Sequence, residues 1–247
     1  VGLGVALILG AAMGSFLNAV SIRLTGGEQF VRGPSRCPHC HHALGPIDLV
    51  PLLSFIVLRG RCRFCHQRIA AHYPLVELAV AGLFAFTFAY AGATAYGAFL
   101  AVELSLLTLL FLTDLRAHVL PDEVSLPAIA LAVLGVLWFR QSISGALLGA
   151  LVGGGFFLLQ YLVSKGKWIG GGDIRLGFLL GLLLGWPLTL LALLLAYFAG
   201  GMVSAVLLLL RRASMGSQLP FGTFLTVATA VSLFFGRTIL QRYGLTA

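Results

Sequence analysis

The chain has 247 residues, of which 59% are hydrophobic and 10% charged, with a mean hydropathy of +1.01. A soluble domain carries about 25% charged residues. So few charges cannot clothe a surface in water, which excludes an ordinary soluble enzyme, a disordered chain and a disulfide-stapled secreted domain. What remains is a polytopic protein of the lipid bilayer. The net charge of +8 assigns no nucleic-acid partner, because basic loops orient membrane spans. The 31 glycines suit close helix packing in lipid.

In chain order, residues 1–22 are an apolar stretch long enough to cross a bilayer, which takes about 20 residues in helix. The stretch lacks the basic start of a signal peptide, so it reads as the first transmembrane helix. Residues 23–74 form a polar insert holding half of the arginines, all four cysteines and every histidine except His118. Apolar runs then resume at 75–91, 96–113, 124–139, 142–163, 174–186, 188–210 and 221–240. Pro187 lies between the sixth and seventh helices, where it could kink one continuous helix. The predicted fold is all-α, with about eight transmembrane helices. The organisation is a first helix (1–22), a zinc-ribbon-like loop (23–74) and a helical core (75–247) sharing one membrane domain with the first helix.

Lysine and arginine set the orientation. With the N-terminus outside, the cytoplasmic loops hold 13 basic residues, including Arg23, Arg32, Arg59 and Arg175, and the outer loops hold three, Arg140, Arg237 and Arg242. Such an excess marks the cytoplasmic side. It predicts a multi-pass membrane protein whose N-terminus is outside and whose insert is cytoplasmic.

Within the insert, Cys37-Pro38-His39-Cys40 and Cys62-Arg63-Phe64-Cys65 are two CxxC knuckles. Two residues between thiolates let both sulfurs reach one tetrahedral ion, and two knuckles close the site. Disulfides are disfavoured in a reducing cytoplasm. Structural zinc on Cys37, Cys40, Cys62 and Cys65 is the reading adopted, with His39, His41, His42 and His66 as solvated surface. A closed site leaves no position for a catalytic water.

Eight acids remain. Glu28 and Asp48 read as solvated loop residues. Glu77 opens the second span and reads as a snorkelling group or a partner of the arginine-rich loop. Glu103 lies in mid-span, with no role assigned. Asp122 and Glu123 follow Pro121, and Asp122 reads as a helix cap. Asp114, at the end of the third span, and Asp173, after Gly170, Gly171 and Gly172, both fall at the cytoplasmic boundary. Two neighbouring carboxyls can share a proton, one serving as general base and the other as general acid. Three glycines let backbone or substrate approach closely. Asp173 also reads as a helix N-cap.

With these residues in place, the chain resembles the type IV prepilin peptidases, GxGD aspartic proteases. The resemblance rests on Gly14-Ser15-Phe16-Leu17-Asn18 with Arg23, the two knuckles, Asp48-Leu49-Val50-Pro51, Tyr73-Pro74-Leu75-Val76-Glu77, Asp114 ahead of Pro121-Asp122, Gly170-Gly171-Gly172-Asp173, and Leu219-Pro220-Phe221-Gly222. It implies that Asp114 and Asp173 are catalytic, supported by Gly170, Gly171 and Gly172, and that prepilins and pseudopilins are the substrates. It also implies N-methylation of the new N-terminus with S-adenosylmethionine. Thr25, Arg175 and Thr223 depart from the family pattern, and none is expected to touch a catalytic group. Two other readings are a transporter with an acidic path through Glu103, Asp114 and Asp173, and a zinc-ribbon scaffold without catalysis.

Overall fold

The structure, a computed structural model, describes residues 1–27, 35–139, 141–212, 214 and 217–244. Glu28, Arg32 and Arg140, weighed above, lie outside the described residues. Among the described residues the chain is helical: α1 (Gly2–Thr25), α2 (Leu53–Val57), α3 (His72–Ala91), α4 (Ala95–Ala117), α5 (Asp122–Trp138), α6 (Ile143–Ser164), α7 (Gly171–Leu184), α8 (Leu188–Leu209) and α9 (Phe221–Arg242). A 3-10 turn covers Pro46–Leu49.

All but α2 coincide with the eight apolar runs. Six of them, α1, α3, α4, α6, α8 and α9, are long and apolar enough to cross a membrane. The protein is therefore a multi-pass membrane protein. At 1.5 Å per residue, α5 and α7 reach only about 25 and 21 Å, short of a hydrocarbon core of about 30 Å. No helix runs through Pro187: α7 ends at Gly185, whose φ of 67° suits glycine, and α8 starts after the proline.

The chain divides into two compact units, residues 1–109 and 110–247. In the first, α1 and α3 run antiparallel with small residues at the crossing. A Cβ on Gly10 would lie 2.7 Å from the Ala81 Cα, and one on Gly14 would lie 2.8 Å from the Glu77 Cα. Backbones meet this closely because lipid gives helices no hydrophobic reason to associate, leaving van der Waals contact to hold them.

The second unit is built around α7. Leu176, Leu179 and Leu180 are fully buried, and the helix packs on α5, α6 and α9. A Cβ on Gly153 of α6 would collide with the carbonyl oxygen of Gly177, so the two helices cross at glycine. Its buried middle is gripped by longer helices, which leaves the first turn, and thus Asp173, half-buried at the helix end.

Candidate functional site

Asp114 occupies the last full turn of α4 and is 5% exposed. Its Oδ2 accepts the backbone N–H of Thr223 at 2.7 Å. This donor is one of the unpaired N–H groups in the first turn of α9, a natural seat for a carboxylate. A Cβ on Gly222 would lie 2.9 Å from the same oxygen, so glycine is required there to let the carboxyl in.

Asp173 is the third residue of α7. Its Oδ2 accepts the Gly170 N–H at 3.2 Å. It therefore supports the helix start from inside, while Gly170 holds the N-cap position itself. Burial pushes the Asp173 carboxyl up to about 6; the Gly170 N–H opposes this, and the charge of Asp114 adds to it. The two aspartates thus lie within electrostatic reach of each other in one compact unit.

Leu120 sits between the segments that carry them. A Cβ on Gly172 would lie 2.8 Å from the Leu120 Cβ, and one on Gly222 would lie 3.3 Å from its Cδ2. Of the three glycines before Asp173, only Gly172 is sterically compelled by the chain; the space before Gly171 is open. Arg175 ties the arrangement together. Its Nη2 forms an ion pair with Asp122 and reaches the Leu120 carbonyl at 3.5 Å. Asp122 is thus the first residue of α5 and makes no side-chain cap, contrary to the sequence expectation. The guanidinium is the stronger partner because it brings a full opposite charge.

Aromatic side chains flank the pair. Tyr197 interacts electrostatically with Asp173. Its ring lies 4.8 Å from that of Phe221, and its hydroxyl is hydrogen-bonded to Gln160 at 3.0 Å.

In the first unit the four cysteines converge. All four Sγ atoms lie within 4.8 Å of one another, with Cys37 and Cys65 3.8 Å apart. Tetrahedral zinc with bonds of about 2.3 Å would need sulfurs about 3.8 Å apart. The set fits such an ion, and no histidine belongs to it.

The two knuckles share one backbone design. His41 N–H donates to Cys37 O and His66 N–H to Cys62 O; Cys37 N–H donates to His42 O and Cys62 N–H to Gln67 O. Arg36 bridges Ala43, and Arg61 bridges Arg68. His41 and His66 both take positive φ, 56° and 57°. Burial raises the Cys37 thiol, but backbone hydrogen bonds from Cys40 and His39, with thiol contacts to Cys40 and Cys62, bring it down to about 7. The Cys65 thiol moves the other way, up to about 11, so the case for a metal rests on the sulfur geometry.

Comparison with known proteins places these two sites in one frame. Residues 8–91 match the bacterial peptidase A24 N-terminal domain, and residues 101–205 match the type IV leader peptidase family. Proteins described as prepilin leader peptidase/N-methyltransferase are similar along nearly the whole chain. The one from Stutzerimonas stutzeri is 33% identical, covering 96% of this chain and 92% of that protein. That from Burkholderia pseudomallei strain K96243 is 36% identical, over 95% and 85%. That from Pseudomonas aeruginosa is 33% identical, over 96% and 91%. The chain belongs to the type IV leader peptidase family. No solved structure matches it.

Within this family member, several side chains differ from their sequence readings. Thr223 does touch an aspartate, through its backbone N–H, where the sequence reading expected no contact with a catalytic group. Asp48 is not solvated: it pairs with Arg63 at 3.0 Å, accepts the Gly45 N–H at 3.1 Å, and its side chain is 8% exposed. Glu77 is buried and accepts the Leu52 N–H at 2.8 Å, so it fastens the loop backbone rather than snorkelling. Glu103 is buried in the first unit. Leu120, Tyr197 and Gly222 were not singled out as site residues, although Gly222 closes a recognisable Leu-Pro-Phe-Gly run.

Proposed function

We propose that the protein is a bacterial inner-membrane aspartic endopeptidase that cleaves the leader from type IV prepilins or pseudopilins, with Asp114 and Asp173 as its catalytic pair. The reading is carried by two carboxyls within electrostatic reach of each other, Asp114 buried and Asp173 half-buried, each accepting a helix-terminal N–H. Like charges that feel each other favour a pair holding one proton. The ionised carboxylate takes a proton from water as its oxygen attacks the scissile carbonyl carbon. The protonated carboxyl gives its proton to the carbonyl oxygen. The resulting diol collapses, the C–N bond breaks and the amine leaves protonated. The open space before Gly171 supports access for a peptide backbone.

Placing the N-terminus outside and the knuckles in the cytoplasm follows from the basic loops. The four cysteines are assigned to structural zinc, which would hold the insert folded and supply no catalytic water. That the relatives are described as N-methyltransferases supports N-methylation of the new N-terminus, with S-adenosylmethionine supplying the methyl group. A cavity of about 270 Å³ beside α1 is lined by Ser15, Phe16, Arg23, Leu49 and Pro51 among others. It contains no carboxylate to grip a ribose or a sulfonium, so the donor is assigned no residues there.

The test is co-expression with a prepilin and intact mass measurement of the pilin. Loss of the leader supports the peptidase, and one added methyl group supports the transfer. An unprocessed prepilin alongside well-inserted enzyme would overturn the reading.

A further inference from the structure

The middle of the insert carries an uncharged run rich in large apolar side chains. Residues 49–58 hold no charge, although Asp48 precedes them and Arg59 follows. In a loop bathed by water such a run would turn its apolar side chains inward. Here they point out: Ile47 is 69% exposed, Leu53 61%, Ile56 68% and Val57 76%. Leu49 and Val50 are exposed as well. A contiguous apolar patch on a small folded loop marks a surface that meets something other than water.

Three observations fix where this patch lies. The buried Glu77 carboxylate accepts the Leu52 N–H, and Glu77 is five residues into α3. At 1.5 Å per residue, Leu52 is thus held about 7 Å along α3 from its first residue. Glu77 in turn packs on Gly14, mid-way along α1. Leu49 and Pro51 share a cavity wall with Ala12, Ser15 and Phe16 of α1. The segment therefore lies alongside the two spans, below the level at which α1 ends. Finally, Arg59, Arg61 and Arg68 stand exposed on the stretch that follows.

We infer that residues 47–57 form an interfacial segment whose apolar side rests in the headgroup–acyl boundary of the bilayer, with Arg59, Arg61 and Arg68 reaching anionic phospholipid headgroups. Apolar burial at the boundary and cation attraction to acidic lipid are the two parts of such attachment. Glu77 serves as the tether that sets depth, by holding a backbone N–H that would otherwise go unpaired near lipid. The insert is then two metal knuckles hung from a membrane-seated bridge. This reading stands independently of the peptidase assignment.

The patch can be probed in the full-length chain by placing the photo-crosslinker p-benzoylphenylalanine at Ile56 and, in a second variant, at Val57. Both positions are exposed, so the bulky probe displaces no core. The protein is reconstituted in phosphatidylethanolamine–phosphatidylglycerol vesicles without pilin, irradiated and weighed intact. Phospholipid adducts at both positions are expected, severalfold above those from a probe at the exposed His39 in the first knuckle. Replacing phosphatidylglycerol by phosphatidylcholine should lower the yield. Adducts no more frequent than at His39 would overturn the inference. So would masses of a crosslinked second copy, or lipid adducts that give way to pilin adducts when prepilin is added.

Discussion

The cysteine site and the aspartate site contain four and two functional side chains, yet the larger set is the simpler construction. Each knuckle closes on itself through its own backbone hydrogen bonds within seven residues, and the pair needs only to meet. The aspartates sit on α4 and α7, accept N–H groups from α9 and from the turn before α7, and depend on the absence of side chains at Gly172 and Gly222. A local site tolerates change elsewhere in the chain. A site assembled from distant segments is sensitive to every surface that brings them together.

The widest separation between the two sites should come from Asp114→Asn and Asp173→Asn. An amide cannot take a proton from water, so cleavage should fall by at least the roughly 10²–10⁴-fold that general acid–base catalysis supplies. Insertion and metal content should be unchanged, as measured by detergent extraction and elemental analysis. Next come the glycines. Gly222→Ala places a methyl 2.9 Å from the Asp114 oxygen and should cost about 1–3 kcal/mol in overpacking, with a matching loss of cleavage. Gly171→Ala meets nothing and should stay within about 0.5 kcal/mol of the parent in thermal unfolding. Equal effects at both positions would contradict the geometry.

Replacing Cys37 and Cys40 by serine should remove the metal and loosen the insert, while cleavage persists in part. Complete loss of cleavage with the fold retained would mean that the insert shapes the protease site. Asp122→Asn should have the smallest effect: it breaks a partly exposed ion pair with Arg175, a class worth about 0–1 kcal/mol. Abolished cleavage there would mean that Asp122, rather than Asp114, is the working acid.

The pH profile sharpens the same contrast. The chemistry needs one proton on the pair, so activity falls at low pH when both carboxyls are protonated and at high pH when neither is. Asp173 is raised to about 6, against about 3.9 for an ordinary aspartate. It therefore holds its proton to higher pH, and kcat/KM should be bell-shaped with its alkaline limb displaced upward. A flat profile from pH 5 to 8 would contradict a shared proton.

Much of this was legible in the sequence. Eight apolar runs became eight helices, six of them long enough to span a membrane, and CxxC spacing placed four sulfurs together because a knuckle is a local object. Helix ends were less legible: α3 begins at His72 and α9 continues to Arg242, since a helix goes on hydrogen-bonding past the point where hydropathy fades. Asp48 and Glu77 were misread because their partners, Arg63 and the Leu52 N–H, are loop groups whose position no periodicity reveals. The shared fold of the knuckles also escaped, since Arg-Cys-x-x-Cys-His at two places repeats too few letters to stand out. Asp114 and Asp173 were found through motif order. Nothing in spacing alone could show that Leu120 and Gly222 set the room around them.

The central claim is that two aspartates, and not the metal knuckles, perform the hydrolysis. It is tested most directly by purified Asp173→Asn protein in vesicles, incubated with prepilin and followed by intact mass, with its bound metal measured in the same sample. The account predicts uncleaved prepilin alongside a full complement of metal. Near-parental cleavage by that protein would contradict it.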